Sequence, residues 1–229
     1  MPAAELLDEG NLTYEQTLRA LADLRRSNRL LFGYRALIRS LLPRLGSGPE
    51  PSRLLDVGTG SGDTAAALVR AAARRGKRVE ITGVDLKPGH LLLGRRRYPE
   101  QHRVSAAADA LPFADGAFDW AFSTLFFHHF DAQLNRRILA EMRRVSRRGV
   151  VVVDLHRSPW LRLLIRPGLR LLGTGPVAYH DGLVSAAQSW TIPEVAELVR
   201  GLPVRELRRR FPFRFSLILG PLTPEEALG

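Results

Sequence analysis

The apolar positions of this chain change their spacing near residue 50. Before it, Tyr34, Leu37, Ile38, Leu41 and Leu42 recur at i, i+3, i+4, i+7 and i+8, the interval that gathers side chains on one face of a helix. Leu18, Leu21 and Leu24 form a shorter stripe of the same kind. Residues 14–44 therefore read as two helices, stopped by Pro43 and the Gly- and Pro-rich stretch 46–51. Beyond it, short apolar runs take over at 53–57, 79–84, 103–105, 117–123 and 150–155. Each is joined to the next by enough chain for a crossover, which a parallel sheet requires. Residues 203–208 and 213–219 add two more strands. Leu134, Ile138, Met142 and Val145 make one buried helical stripe that turns Arg136, Arg137, Arg143 and Arg144 outward. The pattern predicts a doubly wound α/β sheet.

The first strand runs into glycines. Residues 53–62 read Arg-Leu-Leu-Asp-Val-Gly-Thr-Gly-Ser-Gly, and Val84-Asp85 closes the next strand. A strand, a glycine loop, a helix and an acidic strand end, in that order, bind an adenosine. Gly58, Gly60 and Gly62 let the chain turn sharply and approach a ligand closely. Asp63 opens the helix, where it is placed to cap the N–H groups of residues 64–66, and Asp85 is placed to accept from both ribose hydroxyls. A dinucleotide fingerprint would want a small residue at 63, because a carboxylate there repels a pyrophosphate and competes for the helix N–H groups. The pattern D-x-G-x-G-x-G resembles instead the first motif of the class I S-adenosylmethionine-dependent methyltransferases.

Two later segments extend the resemblance over residues 50–155. Ala107-Ala108-Asp109-Ala110-Leu111-Pro112-Phe113 resembles the family's adenine-binding segment, and Phe118 to Ser123 leads into Phe127-His128-His129-Phe130, where the family often carries a histidine. The resemblance implies a Rossmann-like sheet of seven mostly parallel strands, with the last antiparallel between its predecessor and the fifth. It implies S-adenosylmethionine as cofactor, held by Asp56, Gly58, Thr59, Gly60, Gly62, Asp85, Leu86, Asp109, Ala110 and Ser123. In that role Asp109 accepts from the adenine amino group, and the N–H of Ala110 meets a ring nitrogen. Residues 1–48 are then a helical cap on a methyltransferase domain of residues 49–229. The irregular stretch 158–189 is a substrate lid, expected as a helix broken at Pro167-Gly168.

Composition narrows the chemistry. The chain of 229 residues has no cysteine, which excludes disulfides, thiolate zinc sites and a cysteine nucleophile. Glu5, Asp8 and Glu9 replace a basic leader, and no window approaches the ~20 apolar residues of a membrane span. A cytoplasmic location is expected, with the basic, apolar 158–189 stretch able to touch a membrane surface but more commonly used to cover a pocket. The formal charge of +11 is a footprint of nucleic-acid binders. Its arginines are nevertheless scattered over many elements, so nucleic acid is not the expected partner.

Methyl transfer needs alignment of the acceptor and, for a hydroxyl, a base. His128 and His129 follow the fourth strand at its ligand-binding end. If that segment turns, one of them faces the site; His129 is favoured, with His128 and His156 next. Asp154 and His156, alternating at the end of the fifth strand, share a face and are placed to support a base. No paired histidines at i, i+4 and no cysteine leave no expected metal site. Tyr34, Phe127, Trp160 and Tyr179 are expected to form a slot for a planar acceptor. The expected reaction is O-methylation of a phenolic, polyketide or quinone-like hydroxyl. The alternatives are an RNA or protein methyltransferase and a cofactor-binding scaffold without catalysis.

Overall fold

A computed structural model of the chain describes residues 5–9, 12–30 and 33–222. Helices α1 (Leu6–Glu9), α2 (Tyr14–Leu30) and α3 (Gly33–Leu41) precede β1 (Ser52–Val57). There follow α4 (Asp63–Ala73), β2 (Val79–Asp85), α5 (Pro88–Arg97), β3 (His102–Ser105), β4 (Phe118–Thr124), α6 (Ala132–Arg144) and β5 (Ser146–Leu155). Three consecutive helices, α7 (Pro159–Leu171), α8 (Pro176–Gln188) and α9 (Ile192–Leu198), then lead to the hairpin of β6 (Val204–Arg210) and β7 (Arg214–Leu219).

The sheet has the order β3-β2-β1-β4-β5-β7-β6, and β7 runs antiparallel to both β5 and β6. Seven strands are what the sequence predicts, and the antiparallel last member is what the family resemblance implies. The continuous apolar runs follow from burial on both faces. Leu55, Val57, Val150, Val152, Leu217 and Leu219 pack toward α6 and α9, while Leu54, Val151, Val153 and Ile218 pack toward α3 and α4. Leu37 and Leu41 of α3 lie fully inside the second of these cores, each contributing roughly 1.5–3 kcal/mol by burial.

Three expectations change. Helix α7 continues through Pro167 instead of breaking there. The proline's missing N–H would have bonded to the carbonyl of Leu163, whose residue is largely exposed, so water can satisfy that group. Arg143 and Arg144 do not point outward. Arg143 is buried and donates to the carbonyls of Gly220 and Pro221, whereas Arg144 ties Glu141 and Asp115 to the loop carbonyls of Leu111 and Phe113. Part of the formal charge is thus structural. Leu18, expected in a buried stripe, is exposed. Among the described residues, no helix is long and apolar enough to cross a membrane.

Candidate active site

The carboxyl ends of the parallel strands and the first residue of β7 lie on one edge of the sheet, and a cavity of about 590 Å³ opens there, well within the range of small-molecule sites. One end of it is built by β1 and β2. Gly58 has φ +73°, and a Cβ on it would stand 2.4 Å from the Phe126 ring, so both conformation and space demand glycine. Gly60 donates to Asp85 Oδ2 at 2.8 Å, and the Lys87 N–H donates to Asp85 Oδ1 at 2.9 Å. The carboxylate thereby fixes the glycine loop to the end of β2. Thr59, Leu86 and Asp109 also line this end, with Leu86 67% exposed.

Four of the sequence's cofactor candidates stand elsewhere. Ser123 is buried and donates to the carbonyl of Val57 at 2.7 Å. Ala110 gives its N–H to the Ala107 carbonyl in a turn. Gly62 is the left-handed residue before α4 and sits over Gln101. Asp56 lies beneath the loop, where its Oδ2 accepts from Thr59 Oγ1 at 2.8 Å and its Oδ1 has no partner. Nor does Asp63 cap its helix. It accepts from Ser61 and from the Tyr98 hydroxyl, with Arg25 and Arg97 nearby, because it is the first residue inside α4 rather than the residue before it.

Burial pushes the Asp56 carboxyl up to about 7, against the Thr59 hydrogen bond and with help from Asp85. The folded value lies above the unfolded one, so the stability this group contributes is complete below about pH 4 and is lost as pH rises through 7. Asp56→Asn should therefore melt higher than the parent above pH 7, with the difference shrinking toward pH 4. Thermal melts across that range decide it; a gap independent of pH would show that Asp56 does not titrate this way.

The other end of the cavity is held by a buried carboxylate. Asp154 Oδ2 accepts the N–H groups of Phe126, Phe127 and His128 at 3.1, 2.8 and 3.3 Å, and its Oδ1 accepts from Leu155 N–H at 2.6 Å. The same Oδ1 lies 2.7 Å from His128 Nδ1. On the far side of that ring, Nε2 is 3.5 Å from Glu5 Oε1, and Glu5 in turn accepts from the Ser185 hydroxyl. Burial alone would depress His128, but Asp154 and then Glu5 overcome it and raise the imidazole to about 10. Glu5 is set in place by its neighbours: Leu6 and Leu7 donate their N–H groups to Asp181, and Lys87 donates to the Leu7 carbonyl.

His128 and His129 both line the cavity, their ring centres 4.3 Å apart, so the expectation that one alone faces it does not hold. His156 does not line it. Strand β5 ends at Leu155, and the His156 ring turns to the Trp190 carbonyl while its N–H pairs with Phe213. Of the expected aromatic slot, Tyr34 lines the cavity, whereas Phe127 is core and Trp160 is 66% exposed. Phe126 and Phe130 take their places.

Residues 55–153 match a family model described as a methyltransferase domain. A demethylmenaquinone methyltransferase of Beutenbergia cavernae is 30% identical over 164 residues, covering 66% of this chain and 64% of that protein. A malonyl-[acyl-carrier protein] O-methyltransferase of Serratia marcescens is 29% identical, covering 69% of this chain and 65% of that protein. The chain thus spans slightly under two thirds of the length of either relative. In fold it is similar to a SAM dependent methyltransferase from Aquifex aeolicus, with TM-score 0.55 and 16% identity over 80% of this chain and 88% of that one. Residues 55–153 form a class I S-adenosylmethionine-dependent methyltransferase domain.

The residues present fit that family's cofactor, S-adenosylmethionine. Each Asp85 oxygen accepts one backbone N–H and keeps lone pairs for a ribose hydroxyl. Leu86 offers an exposed apolar face beside it. Sequence reasoning about this chain missed Glu5 and Arg214, a buried arginine that also lines the cavity. Neither belongs to a local motif, and nothing in the sequence relates residue 5 to residue 128.

Proposed function

We propose that this methyltransferase methylates a hydroxyl of a small, flat acceptor: a phenol, a polyketide enol or a hydroquinone. The observation that carries this reading is the buried Asp154 and His128 pair, 2.7 Å apart, with His128 on the cavity wall and Glu5 covering the Nε2 side of its ring. When bound, the cofactor supplies a methyl group already activated on a sulfonium. What remains for the chain is to orient the acceptor and manage its proton. The role that the sequence places on His129 moves to His128, because Asp154 fixes the Nδ1 side of that ring and leaves Nε2 facing Glu5, itself on the cavity wall. An acceptor hydroxyl that takes the place of Glu5 either gives its proton to a neutral His128 or lies as an oxyanion against the imidazolium. Both routes end in the same pair, Nε2–H and acceptor oxyanion. Asp154 still raises the His128 imidazole once Glu5 has been displaced, which moves it toward a phenol near ~10 and eases that exchange.

The relative named as a demethylmenaquinone methyltransferase supports a quinone-like ring, and the one named as an O-methyltransferase supports oxygen as the acceptor atom. Glu5, His128 and His129 have ligand atoms within 4.8 Å of one another, but the proton that Asp154 and Glu5 hold on His128 would have to leave before a cation could bind. Transfer of labelled methyl groups should therefore be seen to simple phenols or hydroquinones, not to RNA, and should be unchanged by EDTA. Label appearing in RNA would replace the small-molecule reading, and loss of transfer in EDTA would make the three-residue cluster a metal site.

A further inference from the structure

Arg214 is 5% exposed, lines the same cavity, and has no carboxylate partner among the described residues. Its one hydrogen bond among the described residues runs from Nη2 to Asn28 Oδ1 at 3.0 Å, and its Nε is buried with no partner. A guanidinium carries five N–H donors in a rigid plane, and leaving such a charge buried and uncompensated is costly. Asp154, the carboxylate whose field reaches it, cannot pair with it, since four backbone N–H groups and the His128 ring already occupy that carboxylate. Ser27, on α2 beside Asn28, adds a buried hydroxyl on the cavity wall, a second polar group with no partner there. The space is specific: a Cβ on Gly33 would stand 2.6 Å from Arg214 Nη2.

We propose that Arg214, with Ser27, forms a subsite for a carboxylate carried by the acceptor. This rests on the methyl-transfer reading above and narrows its substrate class to hydroxy acids. A planar carboxylate matches the fork of a guanidinium in a way that a neutral ring oxygen does not. Burial lowers the Arg214 guanidinium to about 10, so it stays charged at neutral pH. Its position favours the acceptor over the cofactor. Arg214 pairs with Leu155 across β7 and β5, next to Asp154, and β7 lies three strands from β1, about 14 Å at the usual strand spacing. An acceptor anchored there has its hydroxyl free to reach His128.

The test uses 4-hydroxybenzoate, salicylate, phenol and methyl 4-hydroxybenzoate as probes, titrated calorimetrically into the full chain saturated with S-adenosylhomocysteine. At least one of the two acids should bind about tenfold or more tighter than the neutral probes. Arg214→Met should abolish that preference, Arg214→Lys should retain part of it, and Ser27→Ala should weaken it a few-fold. S-adenosylhomocysteine affinity should be unchanged in all three. Equal binding of acids and neutral probes to the parent protein would overturn the subsite. A marked loss of S-adenosylhomocysteine affinity in Arg214→Met would assign the arginine to the cofactor's own carboxylate instead. If Arg214→Met does not fold, Arg214→Lys and Ser27→Ala carry the test, and an acid preference unchanged in both overturns the proposal. Methylation of phenol as fast as of the acids would spare the reaction and remove the subsite. Arg214-dependent binding of an acid without methylation would do the reverse.

Discussion

His128→Ala should lower kcat by about 10²–10⁴ while leaving cofactor affinity nearly intact, the loss expected when a positioned proton-transfer group is removed. The variant should fold, because Asp154 keeps the N–H groups of Phe126, Phe127, residue 128 and Leu155 as donors and is not stranded. His129→Ala is the control, since that side chain lines the same cavity. A purely structural role for His128 would lower folded yield without moving the pH dependence of the surviving activity. The proposed role predicts that the limb of the pH profile belonging to His128 disappears. Full turnover in His128→Ala with collapse in His129→Ala would return the base to His129.

Asp85→Ala should weaken S-adenosylhomocysteine binding by roughly 1.5–3 kcal/mol, about ten- to 150-fold, as an ionised acceptor for two hydroxyls is lost. The upper end is favoured, because the same carboxylate holds the Gly60 and Lys87 N–H groups and its removal loosens the loop it serves. Asp85→Asn should lose less, since the amide keeps one acceptor oxygen. Calorimetry reads both variants directly. An unchanged affinity in folded Asp85→Ala would place the ribose elsewhere in the cavity.

The cofactor end was legible because its parts are local. Asp56 to Gly62 form one strand and turn, Asp85 ends the next strand, and their meeting follows from parallel pairing alone. What the sequence misjudged there were directions: Asp63 read as a cap, and Ala110 as having a spare N–H. The other end joins residues far apart in the chain: Glu5 meets Ser185 of α8 and His128, and Arg214 of β7 meets Asn28 of α2. No periodicity encodes such contacts. Asp154 was accessible because a strand end can be located; His156, expected on the same face, leaves it because the strand stops one residue earlier. Pro167 and Arg143 were misread for a shared reason: local rules describe a helix in isolation, and tertiary packing overruled them.

Because β7 runs against its neighbours, its first residue, not its last, lines the cavity, and the turn formed by residues 211–213 leads directly into it. Lengthening that turn or changing Arg214 would alter what can be seated there without disturbing the loop between β1 and α4. Selection can therefore exchange one acceptor for another through the last hairpin and the N-terminal helices while the methyl-donor machinery stays as it is. Diversification of such a chain is expected to collect at its two ends and to spare its middle.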